Sequence, residues 1–162
     1  MFKKLKLPKN IKLIVSDFDG VFTDGSIYIS ETMETTKKIN FKDIMGVSQA
    51  IKNGFNIVLI SGEKSKAIDF LTNKFEKIEA HQGIRDKAKI LKEVIKEREL
   101  STQEVIYIGD DVNDIDCLNY VGTPITVPNA NLKVQKLKNI KITKSPGGDG
   151  AFREVVDALL QR

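Results

Sequence analysis

The chain holds one cysteine, Cys117, and one histidine, His81, in 162 residues. A lone cysteine excludes an internal disulfide and fits a reducing cytoplasm. No apolar run approaches membrane-spanning length, so no membrane partner is expected. The start, Met1-Phe2-Lys3-Lys4-Leu5-Lys6-Leu7-Pro8, is basic but has neither an apolar centre nor a small-residue cleavage site, and no signal peptide is expected. The basic-aromatic motifs of nucleic-acid binders are also missing. The net charge of +4 is mild, from 26 basic and 22 acidic residues, with lysines spread along the chain. Nucleic acid is therefore not an expected partner, while anionic small substrates suit such a surface.

With 41% hydrophobic and 30% charged residues, the composition is that of a soluble globular protein. The length suits one domain over 1–162. Three apolar, β-branched runs share a design: Ile11 to Val15 leads into Ser16-Asp17, Ile57 to Ile60 into Ser61-Gly62, and Val105 to Ile108 into Gly109-Asp110-Asp111. Helical spacing separates the later two, in Ile68, Leu71 and Phe75 and again in Ile90, Leu91, Val94 and Ile95. Strands alternating with helices predict an α/β fold, a parallel sheet covered on both faces. Ligands of such sheets sit beyond the carboxyl ends of the strands, where the polar motifs fall. Residues 26–41 read instead as a β-hairpin flap around a turn at Glu31 to Glu34. Asp43 to Lys52 reads as a helix, and 145–162 as a glycine-rich tail and last helix.

Asp17-Phe18-Asp19-Gly20 ends the first strand with two carboxylates. Buried charge without a partner is costly, so a cation is implied. Asp17 can attack phosphorus as a nucleophile, and Asp19 can give and then take a proton. Magnesium suits one or two carboxylates plus a phosphate. Its expected ligands are Asp17, Asp110 and the main-chain carbonyl of Asp19. Asp111 and Asp114 either bind the metal directly or support its ligands. Ser61 and Gly62 offer a hydroxyl and an open N–H to phosphoryl oxygens, and Lys87 a cation. Each feature alone has a bland reading as a turn, a helix cap or a solvated lysine. All four in order make that reading poor. Cys117, with Ile115, Leu118 and Val121, reads as core rather than as a nucleophile.

These motifs resemble those of the haloacid dehalogenase superfamily of phosphatases: Asp17-Phe18-Asp19-Gly20-Val21, Ser61, Lys87, and Gly109-Asp110-Asp111-x-Asn113-Asp114. The resemblance implies a Rossmann-like sheet, and Asn113 enters the site through the last motif. No cap domain fits between Asp24 and Asp43, or between Ser61 and Lys87, so the chain resembles the capless subgroup acting on phosphorylated 2-keto-3-deoxy sugar acids. That likeness implies a homotetramer joined by the hairpins, with neighbouring subunits closing each site. It places Asn40, Lys42 and Asp43 near the substrate, and it makes His81 structural. Octulosonate 8-phosphate enzymes commonly carry arginine where this chain has Glu63. The branch acting on nonulosonate 9-phosphates resembles it better, pairing such a Glu with a later Lys, here Lys74. On one helix the two would lie roughly 16 Å apart. The expected substrate is thus a nonulosonate 9-phosphate, with the octulosonate 8-phosphate as alternative. A non-catalytic interaction domain is a more distant alternative. A signalling receiver domain has its acidic motifs in the opposite order.

Overall fold

The computed structural model describes residues 5–161, so Met1 to Lys4, half of the basic start, lie outside the described residues. Six parallel strands form one sheet in the order β5-β4-β1-β6-β7-β8. They are β1 (Leu13–Ser16), β4 (Asn56–Ser61), β5 (Ile78–Gln82), β6 (Val105–Ile108), β7 (Thr123–Thr126) and β8 (Lys141–Ile142). Two further strands, β2 (Tyr28–Ile29) and β3 (Thr35–Thr36), pair antiparallel as a separate hairpin. The helices are α1 (Phe41–Lys52), α2 (Lys66–Lys74), α3 (Lys87–Glu97), α4 (Ile115–Tyr120), α5 (Leu132–Gln135) and α6 (Ala151–Leu160). No helix among the described residues is long and apolar enough to cross a membrane.

Alternation along the strands divides the core into two layers, because successive side chains face opposite ways. Ile14, Ile57, Leu59, Ile106 and Ile108 pack with residues of α1, α2 and α6. Leu13, Val15, Val58, Ile60, Val105 and Tyr107 pack with those of α3 and α4. Both faces are therefore covered, as the near-continuous apolar runs predict. Phe22 links the loop after β1 to α6, its ring 5.6 Å from Phe18 and 4.7 Å from Phe152.

The hairpin is shorter than the sequence suggests, two residues per strand, and its apolar side chains face solvent. Tyr28 is 61% exposed, and Phe41, the first residue of α1, is 81% exposed, so neither is core. Helix α1 starts two residues before the expected Asp43 because Asn40 caps it, accepting the Lys42 N–H at 2.9 Å. The chain reverses direction across the sheet at β1: β4 and β5 lie on one side, β6 to β8 on the other. That is the switch point at which open α/β sheets leave a crevice.

Candidate active site

Register brings the motifs to one rim. Ser16 pairs with Ile108 across β1 and β6, so Asp17 and Asp110 both emerge just past the carboxyl ends of adjacent strands. The Asp17 N–H donates to Ile108 O at 2.8 Å, which extends the ladder to Asp17 itself. Ser61 closes β4 on the other side of β1. Lys87 opens α3 beyond β5.

Lys87 joins these pieces. Its Nζ lies 2.8 Å from Asp17 Oδ2 and 2.9 Å from Asp114 Oδ1, and the residue is 2% exposed. Burial alone would lower its pKa, but the two carboxylates outweigh this and hold it above the usual lysine value. Asp17 is likewise buried, and its Oδ1 accepts the Phe18 N–H at 2.6 Å. Burial, reinforced by Asp114, raises the Asp17 pKa well above the ordinary carboxylate range, against the lowering effect of Lys87. Burial first, then Asp114 and Asp111, raise Asp110 to about 7.

Oxygens of Asp17, Asp110 and Asp114 all lie within 4.8 Å of one another. Three neighbouring carboxylates form an oxygen-only donor set that fits a hard dication such as magnesium. Asp114 is already occupied: Oδ1 takes Lys87 and the Tyr107 hydroxyl, the latter at 2.7 Å, while Oδ2 takes the N–H groups of Asp110 and Asp111 at 3.0 and 3.3 Å. It holds the loop of Asp110 and Asp111 and the lysine in place. Both oxygens of Asp17 are likewise engaged, by the Phe18 N–H and by Lys87, so a cation in this cluster would compete with Lys87 for Asp17. Gly20 permits this arrangement, since a Cβ there would lie 1.9 Å from Asp110 Oδ2. Asp111 turns elsewhere, accepting from Val112 N–H and from Asn131 Nδ2. Asn113 Nδ2 approaches Gly62, 3.8 Å from where a Cβ would stand, which brings the second and fourth motifs together. The Ser61 hydroxyl accepts the Glu63 N–H at 3.2 Å.

Other expected site residues are placed differently. Glu63 precedes α2, whose cap is Ser65, so it does not share a helix with Lys74 and the expected common face does not exist. Lys74 ends α2 with its ammonium 5.9 Å from the Phe75 ring centre. Asp43 is fully buried, accepting N–H donations from Gly150 and Arg153, both at 3.0 Å, so its carboxylate is closed to substrate. Asn40 and Lys42 donate to Asp149 at 3.1 and 3.0 Å. All three residues therefore engage the chain's own glycine-rich tail. That tail reaches the first motif: Gly148 N–H donates to Val21 O, and a Cβ at Gly147 would lie 1.7 Å from Gly20 O.

Sequence reasoning missed Lys37 and Tyr107. Lys37 Nζ contacts Asp19 Oδ2 at 2.6 Å, yet it sits in a lysine pair whose members the sequence does not tell apart. Tyr107 reads as one more apolar residue of a buried strand. Cys117 is core as expected, and burial pushes its thiol up to about 12, which removes it as a nucleophile.

Comparison with known proteins agrees with this geometry. Residues 63–154 match the haloacid dehalogenase-like hydrolases. The chain belongs to that family. It is 32% identical over 151 residues to 3-deoxy-D-manno-octulosonate 8-phosphate phosphatase of Yersinia pestis, covering 93% of this chain and 80% of the relative. Against the enzyme of the same name from Escherichia coli K12 the identity is 30% over 153 residues, 94% of this chain and 80% of the relative. A solved structure of that phosphatase from Moraxella catarrhalis, in complex with magnesium, phosphate and KDO, superposes with a TM-score of 0.89 at 30% identity, covering 94% and 87% of the two chains. A hydrolase of the same superfamily from Streptomyces avermitilis gives 0.88 at 31% identity, over 95% and 94%. Family and site together make this chain a phosphoric monoester hydrolase.

Proposed function

We propose that the chain hydrolyses a phosphorylated 2-keto-3-deoxy sugar acid with the help of magnesium, and that 3-deoxy-manno-octulosonate 8-phosphate is its preferred substrate. The observation that carries this reading is the alignment of nearly the whole chain with phosphatases of that name. It favours the octulosonate, the alternative in the sequence reading, over the expected nonulosonate. Glu63 and Lys74, the residues behind that expectation, do not share a helix. A cleft of about 790 Å³ between the hairpin and α2 supports a substrate of this size and sign. Its lining includes Lys64 and Lys66, cations suited to a sugar carboxylate, together with Glu34, Thr35 and Phe70.

In this reading Asp17 attacks phosphorus, the bond to the sugar oxygen breaks, and Asp19 gives that oxygen its proton. Water then attacks the aspartyl phosphate, its proton passes to Asp19, and orthophosphate leaves. Lys87, the Ser61 hydroxyl and the Gly62 N–H face the phosphoryl oxygens as charge spreads over them. Asp17, Asp110 and the Asp19 carbonyl would hold magnesium, which would supply further positive charge to the phosphoryl oxygens. Tetramer formation through the hairpins belongs to the same reading and draws support from the exposed Ile27, Tyr28 and Ile29. A cytoplasmic setting fits the free, buried Cys117.

Parallel turnover of octulosonate 8-phosphate and a nonulosonate 9-phosphate with magnesium tests the substrate. The expected result is a higher kcat/KM for the octulosonate. A clear preference for the nonulosonate would reverse the assignment. Full hydrolysis by Asp17→Asn would remove the nucleophile, and with it the mechanism.

A further inference from the structure

The hairpin reaches the reaction centre through one side chain. Lys37 follows β3 and is 12% exposed at its side chain, in a flap whose Tyr28, Ile29 and Met33 are mostly in solvent. Its Nζ lies 2.6 Å from Asp19 Oδ2. The other oxygen, Oδ1, meets the Thr23 hydroxyl at a longer 3.3 Å. Thr23 is fully buried and also accepts the N–H groups of Gly20 and Gly25, so it is a fixed support. The neighbouring Lys38 points elsewhere, 3.6 Å from Asp24.

We propose that Lys37 is a positioning residue for the reaction: it holds Asp19 Oδ2 and thereby presents Oδ1 to the oxygen that leaves phosphorus. This rests on the reading above, in which Asp19 handles the proton. A carboxylate on a half-exposed turn has rotamer freedom, and proton transfer requires placement within hydrogen-bond reach of the ester oxygen. A short charge-assisted bond from a well-covered ammonium removes that freedom. Because Lys37 also lines the cleft between the hairpin and α2, the same side chain joins the substrate-sized space to the proton-transfer group. Flap placement and proton delivery are thus coupled through one bond. The chemistry is unchanged in its balance: the P–O ester bond breaks, its electron pair goes to the sugar oxygen, and the proton comes from Asp19.

The test compares leaving groups, since p-nitrophenolate departs without a proton and an alkoxide does not. For the intact magnesium-loaded protein, kcat/KM is measured with p-nitrophenyl phosphate and with an unactivated alkyl phosphate, in the wild type, Lys37→Met and Lys37→Arg. The ratio reports on transfer to Asp17, before water attacks. Lys37→Met is expected to lose about 100-fold on the alkyl ester and under about 5-fold on the aryl ester, within the usual range of general acid catalysis. Lys37→Arg, which keeps a cation, is expected to recover at least half of the lost activity on a logarithmic scale. Equal losses on both esters, or no loss on either, would overturn the role of Lys37 while leaving the phosphatase reading intact. A wild-type chain inert on both esters and on octulosonate 8-phosphate would overturn the two together. If Lys37→Met does not fold, Lys37→Gln takes its place, with the same larger loss on the alkyl ester expected and equal losses on both esters overturning the role.

Discussion

The Tyr107 hydroxyl and the Lys87 ammonium converge on one oxygen, Asp114 Oδ1, from 2.7 and 2.9 Å. A residue of the sheet core therefore bears on the position of the Lys87 ammonium through an intermediate carboxylate. Asp114→Ala would leave the buried Lys87 with Asp17 as its remaining carboxylate and would free two backbone N–H groups and the Tyr107 hydroxyl. The expected cost is about 1–3 kcal/mol for each buried group left unpaired, read by denaturant unfolding, together with loss of turnover. Tyr107→Phe keeps the packing and removes one bond, for about 1–3 kcal/mol. Its expected signature is a lower kcat with a nearly unchanged fold. Wild-type kinetics in Tyr107→Phe would detach the core from the site.

Gly20 and Asp110 are a second such pair. With φ at +82° and Asp110 Oδ2 at 1.9 Å from a built Cβ, Gly20 has no room for a side chain. Gly20→Ala should displace the Asp110 carboxylate and add backbone strain of about 1 kcal/mol or more. The expected result is magnesium affinity weakened about 10-fold or more, by titration calorimetry, since a ligand carboxylate has moved. Unchanged affinity would show that Asp110 does not ligate the ion.

The pH dependence of metal binding follows from Asp110. Its pKa is raised from 3.8 to about 7 without metal, so the folded chain holds a proton there that the unfolded chain has released. Stability contributed by this group is full below about 4 and is lost as pH rises through about 7. Magnesium must displace that proton. Its affinity should therefore rise at least about tenfold per pH unit from 5 to 7, more steeply where Asp17 also gives up a proton, with proton release detectable in buffers of different ionisation heat. A flat profile over that range would place the ion elsewhere.

The residues that read clearly from sequence share one property. Asp17, Ser61 and Asp110 end or directly follow buried, β-branched strands, and Lys87 opens an amphipathic helix, so local pattern and tertiary place agree. Strand β5, Ile78-Glu79-Ala80-His81-Gln82, gave no apolar run because it is a sheet edge with four of its five residues only partly covered. Strand β7 hid for the opposite reason. Thr123-Pro124-Ile125-Thr126 is fully buried yet half polar, and the Thr126 hydroxyl satisfies itself on Gly109 O at 2.6 Å. Lys37 could not be told from Lys38 until the hairpin was placed over Asp19. Glu63 reads as part of the helix toward Lys74, but the Ser65 side chain caps that helix two residues later by accepting the Ala67 N–H at 3.2 Å.

Asp43 offers the sharpest division between the substrate role that the family likeness implies and the tail role that the geometry assigns. Its carboxylate is closed to solvent and receives the N–H groups of Gly150 and Arg153 at the start of α6. Burial raises its pKa, partly offset by those same backbone donors. Removing it in Asp43→Ala leaves buried donors unpaired, about 1–3 kcal/mol for each. The tail that packs on Gly20 and Val21 should loosen with it. The expected outcome is a lower melting temperature and faster proteolysis within 145–150, with KM for the sugar-acid phosphate nearly unchanged below the melting point. A variant with normal stability and a KM raised about tenfold would instead restore Asp43 to the substrate, and would require its carboxylate to leave the tail during turnover.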